Sequence, residues 1–206
     1  MKRKIQKTIP QISKTNLFVF SVLIIGIISG SIFLILTNTT DKNSIIERIT
    51  HFFKSISDNS LNNGLALKNS LVINYIFIFS IWIFGLSIIG VIINIFLTYI
   101  KGFLVGFSIS AIFLTYKYKG ILPALLYTFP IQLINIMIIV TLTTNSIYFG
   151  INLLKIITSK KPTTNRLMLK KYSKFLMISI ILSFISSILE VYLFPKILKL
   201  IVPLYI

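Results

Sequence analysis

Residues 71–148 read LVINYIFIFSIWIFGLSIIGVIINIFLTYIKGFLVGFSISAIFLTYKYKGILPALLYTFPIQLINIMIIVTLTTNSIY, and this stretch decides the fold of the chain. Its only ionised side chains are Lys101, Lys117 and Lys119, and it contains no acidic residue. A helix needs about 20 apolar residues to cross the hydrocarbon core of a bilayer, so the stretch has room for three spans. Because lipid offers no water to backbone polar groups, so apolar a chain satisfies them as helices. The stretch therefore predicts the centre of a membrane helix bundle.

The composition of the whole chain agrees with this prediction. Of its 206 residues, 55% are hydrophobic and 12% are charged, whereas soluble domains contain about 25% charged residues. The formal net charge of +17 would suggest nucleic-acid binding in a soluble protein. Here the cations flank apolar runs, which is the pattern of the positive-inside rule. We therefore expect the lipid bilayer as a partner and no nucleic acid.

The inventory of reactive side chains is small. The chain has no Cys, one His and four acidic residues. The absence of Cys excludes disulfides, Cys-ligated metals and thiol nucleophiles. Hydrolysis of a glycan needs two carboxylates held close together, and the acids outside the spans are Asp41, Glu47 and Asp58. We expect no catalytic residue, no cofactor and no metal site.

The alternation of apolar and basic segments predicts an all-α integral membrane protein with five spans, its N-terminus inside and its C-terminus outside. The residues 1–206 form a single membrane domain in this interpretation. Lys101 is interpreted as a tight cytoplasmic turn, which leaves a third span of only about 22 Å. That span must borrow flanking residues, thin the bilayer or dip in without crossing. The predicted segments are a basic cytoplasmic N-terminus (1–16), a first span (17–36), an outer loop (37–70), a second span (71–97), a third span (102–116), a fourth span (121–151), a basic cytoplasmic loop (155–174) and a fifth span (175–194).

Small residues recur four apart on two of the predicted spans. Gly26 and Gly30 form one such pair, and Gly102, Gly106 and Ser110 form a second series. Small residues at this spacing allow two membrane helices to approach closely. We expect these seams to hold the bundle together or to support self-association with a second copy.

The outer loop contains one amphipathic segment. Apolar residues recur at helical spacing from Ile45 through Ile49, Phe52 and Phe53 to Ile56, which predicts a helix of three to four turns. Such a helix lies along the outer membrane surface or on the bundle. Two interpretations remain open, namely docking onto the other helices and binding a partner.

Two features interrupt the last spans. Pro123 and Pro130 are predicted to kink the fourth span, and Gln132 and Asn135 could bond the backbone groups that a proline frees. Glu190 is the acid within the fifth span, where an ionisable residue is by default a candidate functional site. We interpret Glu190 as one turn from the outer end of its helix. It could pair with the nearby Lys196 or Lys199, contact a partner, or serve transport.

Three segments carry a resemblance to a known family. They read KGFLVGFSISAIF at 101–113, KGILPALLYTFPIQLINI at 119–136 and ILEVYLFPKIL at 188–198. Together with five spans and this length, they resemble the stage II sporulation protein M family of bacterial membrane proteins. The family's motif residues correspond here to Gly102, Gly106, Pro130 and Glu190. Broader relatives outside sporulation often carry Pro-His-Gly followed by an acid, whereas this chain has Pro130-Ile131-Gln132 with Asn135 at the acid's place, which favours the sporulation branch.

The resemblance implies a non-enzymatic scaffold of the bacterial cell membrane. It would gather two peptidoglycan hydrolases, stage II sporulation proteins D and P, at the mother cell's septal or engulfing membrane during endospore formation. The alternative is a small transporter or permease-like subunit that uses Glu190 and the Pro130 kink. Inverted repeats with matching broken helices are usual in transporters, and five spans cannot divide into two equal halves.

Overall fold

The structure, a computed structural model, describes residues 9–121, 128–159 and 165–201, and the side chains of 14–121, 128–158 and 168–199. Every regular element in these ranges is helical. In chain order they are α1 (Ile9–Leu36), α2 (Thr39–Ser57), α3 (Asn63–Gly85), α4 (Gly90–Tyr116), a 3₁₀ turn (Lys117–Gly120), α5 (Phe129–Ser159), α6 (Asn165–Ile188), a π-helical segment (Leu189–Leu193) and α7 (Phe194–Ile201).

Five stretches in the described residues are long and apolar enough to cross a bilayer, namely Lys14–Leu36, Asn63–Gly85, Gly90–Gly120, Phe129–Thr158 and Met168–Lys199. Large apolar side chains cover their outer faces, among them Ile92 at 71% and Met137 at 69% exposure. Side chains of this kind fit contact with lipid, which is as apolar as they are. The prediction of an all-helical bundle with five spans is confirmed, and its orientation in the membrane stays a prediction.

The predicted turn at Lys101 is wrong. The chain reverses direction at residues 86–89, where the amide of Gly90 donates to the Ser87 hydroxyl at 2.9 Å. A Cβ at Gly90 would overlap the Phe84 carbonyl, so the tight turn requires glycine there. The third span is consequently α4, whose 27 residues are about 40 Å long and need no thinning of the bilayer. Lys101 lies in the middle of this helix.

The last two spans also differ from the predicted bounds. Helix α5 extends to Ser159, beyond the predicted end of the fourth span. Pro130 is its second residue and follows Thr128, which is in a π-helical turn. Residues 122–127 lie outside the described residues, so the kink at Pro130 stays a prediction. The fifth span continues beyond the predicted end at residue 194 and includes the π-helical segment and α7. Pro123, Pro162 and Pro203 lie outside the described residues.

The bundle is built around α4 and α5. Helix α1 packs along α4, while α3 contacts α4, α5 and α6, and α5 is the most buried span. An apolar cluster joins α3, α5 and α6 through Ile78, Ile81, Leu142 and their neighbours. Close to the turn between α3 and α4, the buried Asn94 amide donates to the Ile81 carbonyl at 2.8 Å. This arrangement fixes α3, α4, α5 and α6 around one interior, and the polar residues described next lie within it.

Candidate intramembrane polar site

The two predicted glycine motifs lie against each other within one chain. A Cβ at Gly26 or Gly30 would overlap the backbone of α4, and a Cβ at Gly102 or Gly106 would overlap the backbone of α1. The Ser31 hydroxyl donates to the Gly106 carbonyl at 3.3 Å across this seam. The residue numbers of the contacting positions rise in the same direction along α1 and along α4, so the two helices run parallel. We call this contact the glycine seam; Ser110, half-buried one turn beyond Gly106, continues the series on α4.

The apolar face of the amphipathic helix α2 is packed on the bundle. Phe53 and Ile56 are buried in a cluster with Ile112 of α4 and Leu198 of α7. The Phe53 ring meets Tyr116 edge to face, with centroids 5.1 Å apart. Ile49 and Phe52 pack on the same cluster, and together with Ile45 they line a cavity between α2 and the spans. Of the two interpretations left open, the structure therefore shows docking onto the bundle.

The end of α2 is held by one residue with two roles. Asn59 adopts a left-handed conformation with φ 54°, and the amide of Ser60 donates to the Ser55 carbonyl at 3.0 Å. This is the Schellman arrangement that ends many helices, and asparagine is among the residues that tolerate it. The Asn59 side chain also accepts a hydrogen bond from the Lys199 ammonium at 2.8 Å. The helix α2 is thus attached to α7 as well as to α4.

A polar cluster lies inside the bundle and joins three spans. The Glu190 carboxylate accepts a hydrogen bond from the Ser70 hydroxyl at 2.6 Å, and Ser70 is hydrogen-bonded to Ser187 at 2.9 Å. The Asn74 amide donates to the Ser187 hydroxyl at 3.4 Å, and the Lys101 ammonium donates to the Asn74 carbonyl oxygen at 3.4 Å. We call Ser70, Asn74, Lys101, Ser187 and Glu190 the polar cluster.

Lys101 and Glu190 are the charged ends of the polar cluster. Lys101 is 6% exposed, interacts electrostatically with Glu190, and holds its ammonium 5.2 Å from the centre of the Phe77 ring. Charged groups are costly within a bilayer and generally face a bundle interior and one another, as these do. Within the described residues the link between the two charges runs through the polar cluster rather than through a direct ion pair.

The position of Glu190 differs from the predicted one. The helix continues from Glu190 through α7, so the carboxylate lies about 13 Å along the axis from Lys199. Lys199 bonds Asn59 instead, and Glu190 lines the same cavity as Lys101. The expectation of a pair with Lys196 or Lys199 was therefore wrong.

Glu190 lies on the π-helical segment, whose origin is local. Proline at 195 cannot donate to the carbonyl four residues earlier, at Val191, and its ring would clash with that carbonyl in an α-helix. The wider turn relieves this conflict, and the amide of Phe194 donates to the Leu189 carbonyl five residues back. π-Helical turns are frequent at functional sites. Here the extra residue in the turn changes the direction in which Glu190 leaves the helix.

Two cavities border the polar cluster. One, of about 260 Å³, is lined by Asn74, Lys101, Asn135 and other residues. The second, of about 520 Å³, lies between α2 and the spans and has mostly apolar walls. Five residues line both cavities: Ser70, Ile73, Ser108, Gln132 and Glu190. The two cavities therefore adjoin at the polar cluster.

The amides of α5 contribute polar groups to this site. Asn135 is 5% exposed and lines the smaller cavity, while Gln132 lines both. The Gln132 side-chain oxygen is buried without a hydrogen-bond partner among the described residues. Both amides line the cavities, and their predicted hydrogen bonds to the backbone freed by Pro130 stay a prediction, because the carbonyl four residues before Pro130 lies outside the described residues.

Sequence reasoning missed Lys101, Asn74 and Ser70 as members of the site. An isolated lysine between two apolar runs resembles a loop, and hydropathy alone assigns it there. The signal available was Glu190, because a carboxylate in a span requires a partner and Lys101 is the lysine farthest from any basic cluster.

The chemistry that this site supports is limited to charge, hydrogen bonding and proton exchange. Among the described residues, no three His, Cys, Asp or Glu side chains lie close enough to hold a metal ion. His51 is exposed on α2, away from the polar cluster. The site offers one cation, one carboxylate, three amides and two hydroxyls inside a bundle of apolar helices.

Comparison with known proteins gives one match. The family model described as Stage II sporulation protein M matches residues 18–195, from the first turns of the first span to the start of α7. No curated protein matches the chain, and no solved structure does so. The matched range includes the glycine seam, α2 and the whole polar cluster.

Proposed function

The chain belongs to the stage II sporulation protein M family, and from this premise we propose that it is a non-enzymatic membrane scaffold for engulfment. Its proposed partners are the peptidoglycan hydrolases, stage II sporulation proteins D and P, gathered at the septal or engulfing membrane of the mother cell. The family match over most of the chain is the observation that carries the proposal. Membership in this family fits a sporulation membrane protein, and the choice of partners is our inference.

The proposed contact surface is the polar face of α2. Because the apolar face of α2 is packed against α4 and α7, the side chains it presents outward are polar and charged. Glu47, His51 and Lys54 are exposed there. The cations of residues 1–16 and 155–174 favour a cytoplasmic location for those segments, which would put α2 on the outer side, where peptidoglycan lies. A helix held at its end by Asn59 and Lys199 loses little conformational freedom when a partner binds it.

The distribution of carboxylates supports a role without catalysis. Asp41 and Glu47 are exposed on α2 six residues apart, about 9 Å along the helix axis, and they point in different directions. Glycan hydrolysis needs two carboxyl groups that flank one bond from opposite sides. Glu190, the carboxylate of the polar cluster, hydrogen-bonds Ser70 inside the bundle.

The second candidate function is a small transporter or permease-like subunit. The observation that favours it is a cavity lined by the buried Lys101 and the half-buried Glu190. The substitution Glu190→Gln separates the candidates, because a scaffold retains its partners while a proton-coupled carrier loses flux.

Co-purification from the host's own membranes tests the scaffold. The tagged protein is extracted in a gentle detergent at the onset of engulfment, and co-purifying proteins are identified by mass spectrometry. We expect proteins D and P with the unmodified chain and a strong loss with the charge-reversed pair Glu47→Lys and Lys54→Glu. Lys68→Glu is the matched control, because Lys68 is exposed at the same end of the bundle but on α3. Absence of both hydrolases from the unmodified sample refutes the proposal, and equal recovery with the α2 variant refutes its assignment to this face.

A further inference from the structure

The two cavities adjoin, and Lys101 and Glu190 both line the smaller one. The larger cavity begins at α2, where Arg48 and Ile49 line it, and reaches Gln132 and Glu190. The smaller cavity continues from those residues to Lys101 and Asn135. Its 260 Å³ is slightly below the range of about 300–1,000 Å³ that drug-sized ligands occupy. The space beside the charges therefore suits a molecule of a few heavy atoms.

The charged groups that line the smaller cavity retain free hydrogen-bonding capacity. An ammonium has three donors, and that of Lys101 makes one long hydrogen bond, to Asn74 at 3.4 Å. An ionised carboxylate has about four acceptor sites, and that of Glu190 accepts one hydrogen bond, from Ser70. The buried side-chain oxygen of Gln132 has no partner in the described part of the chain. Buried polar groups are nearly always satisfied, so the unpartnered Gln132 oxygen beside the buried Lys101 ammonium indicates a polar occupant.

We propose that the cavity between Lys101 and Glu190 binds a small zwitterion with an apolar group. Its anionic oxygens would contact Lys101, its ammonium would contact Glu190 and the amide oxygens, and its apolar group would lie in the cavity beneath α2. Charge complementarity selects this class over others. Lys101 and Glu190 already balance in net charge, so a simple anion or a simple cation would bring an uncompensated charge into the site, whereas a zwitterion keeps the site neutral. This site is independent of the scaffold proposal.

Two sources can supply this chemistry. A free α-amino acid with an apolar side chain carries both charges, and so does the headgroup of an aminophospholipid whose acyl chains remain in lipid. The experiment uses leucine for the first source and nanodiscs of phosphatidylethanolamine for the second. Two analogues each lack one charge: 4-methylpentanoate has no ammonium and 3-methylbutylamine has no carboxylate. Nanodiscs of phosphatidylglycerol lack the ammonium of the headgroup.

The 206 residues of the chain include no cysteine, so a single introduced thiol reports occupancy. Ser108 lines both cavities, and Ser108→Cys is nearly isosteric. We expect a charged methanethiosulfonate reagent to label this thiol, and leucine or phosphatidylethanolamine to slow the labelling. Ser183 is fully buried and lies outside both cavities. Ser183→Cys is the matched control, expected to stay unlabelled in a folded sample.

The charge dependence decides the outcome. Each analogue should protect at least tenfold less effectively than leucine, since a charge-assisted contact contributes about a factor of ten or more. In the pair Lys101→Met and Glu190→Gln, which removes both charges together, labelling should persist and protection should vanish. Protection by leucine identifies a free amino acid, and protection in phosphatidylethanolamine alone identifies the headgroup. If neither slows labelling, or if the single-charge analogues protect equally well, the site holds water only and the inference is overturned.

Discussion

The glycine seam gives the sharpest prediction about stability, through the substitution Gly106→Ala. A Cβ at this position would overlap the carbonyl oxygen of Ile27 and would lie 2.8 Å from the Ile27 Cα. Ordinary contacts of a Cβ are 3.4–4 Å. Backbone atoms cannot rotate away from a new methyl group as a side chain can, so the two helices must move apart. The difference between 3.4 and 2.8 Å sets this separation at 0.6 Å or more.

The expected loss follows from two opposing effects. An added methyl in a well-packed site costs about 1–3 kcal/mol, and a clash with backbone belongs at the upper end. A gap of 0.5–1 Å along the seam forfeits roughly a quarter to a half of each dispersion contact. Exchanging glycine for alanine returns up to about 1 kcal/mol of helix propensity. We expect Gly106→Ala to lower the free energy of unfolding by about 2 kcal/mol, taking 3 less 1 from these values.

Equilibrium unfolding in bicelles measures this loss, with Gly64→Ala as the control. A Cβ at Gly64 would meet only the Asn62 side-chain oxygen, at 3.4 Å, so that variant should be neutral or slightly stabilised. If Gly106→Ala destabilises no more than the control, the close approach of α1 and α4 is wrong. If the loss depends on protein concentration, the seam joins two copies of the chain instead of two helices of one.

Three further predictions concern α2 and the charge pair. Lys101→Met alone should lower the free energy of unfolding by about 1–3 kcal/mol because it leaves the buried Asn74 carbonyl oxygen without its donor and removes the cation beside the half-buried Glu190; combining it with Glu190→Gln should recover part of that loss in a double-mutant cycle in bicelles, and additive losses would exclude coupling. Asn59→Ala should loosen the end of α2, whereas Asn59→Gly should retain the left-handed turn. The rate of hydrogen exchange at the Ser60 amide, which bonds the Ser55 carbonyl, measures the difference. Equal exchange rates in both variants would contradict the assigned capping role. Phe53→Ala should cost about 3–5 kcal/mol of packing and release α2, so proteolysis within α2 should accelerate while cleavage elsewhere is unchanged; an unchanged rate in α2 would contradict its docking.

Much of the fold could be predicted from local sequence. Uninterrupted apolar runs fixed the number of spans and the helical class, since a lipid environment leaves helices as the available solution for them. The helical spacing from Ile45 to Ile56 likewise identified α2. The bounds failed at Lys101, because one lysine in an apolar run has the hydropathy of a loop. They failed again after residue 194, because the π-helical segment lets the helix accommodate Pro195.

The candidate site could be predicted only in part. Glu190 was identified because an acid in a span stands out against its neighbours. Its partners were not identified, since Ser70 and Lys101 lie 120 and 89 positions earlier in the sequence. Nothing in the local sequence around either residue indicates that it lies near Glu190 in the fold. The polar cluster exists because α3, α4 and α6 meet around one point.

The sequence by itself determined that this protein is a helical membrane bundle with small-residue seams and one acid in a span. Those properties depend on the hydropathy and spacing of residues that are neighbours in sequence, and these are the same whichever helices pack together. Only the tertiary structure decided that the two glycine motifs face each other, that the apolar face of α2 is packed on the bundle, and that Lys101 lines the same cavity as Glu190. Those properties depend on which helices pack together, and packing is a relation between residues distant in sequence that pairs surfaces by shape and charge.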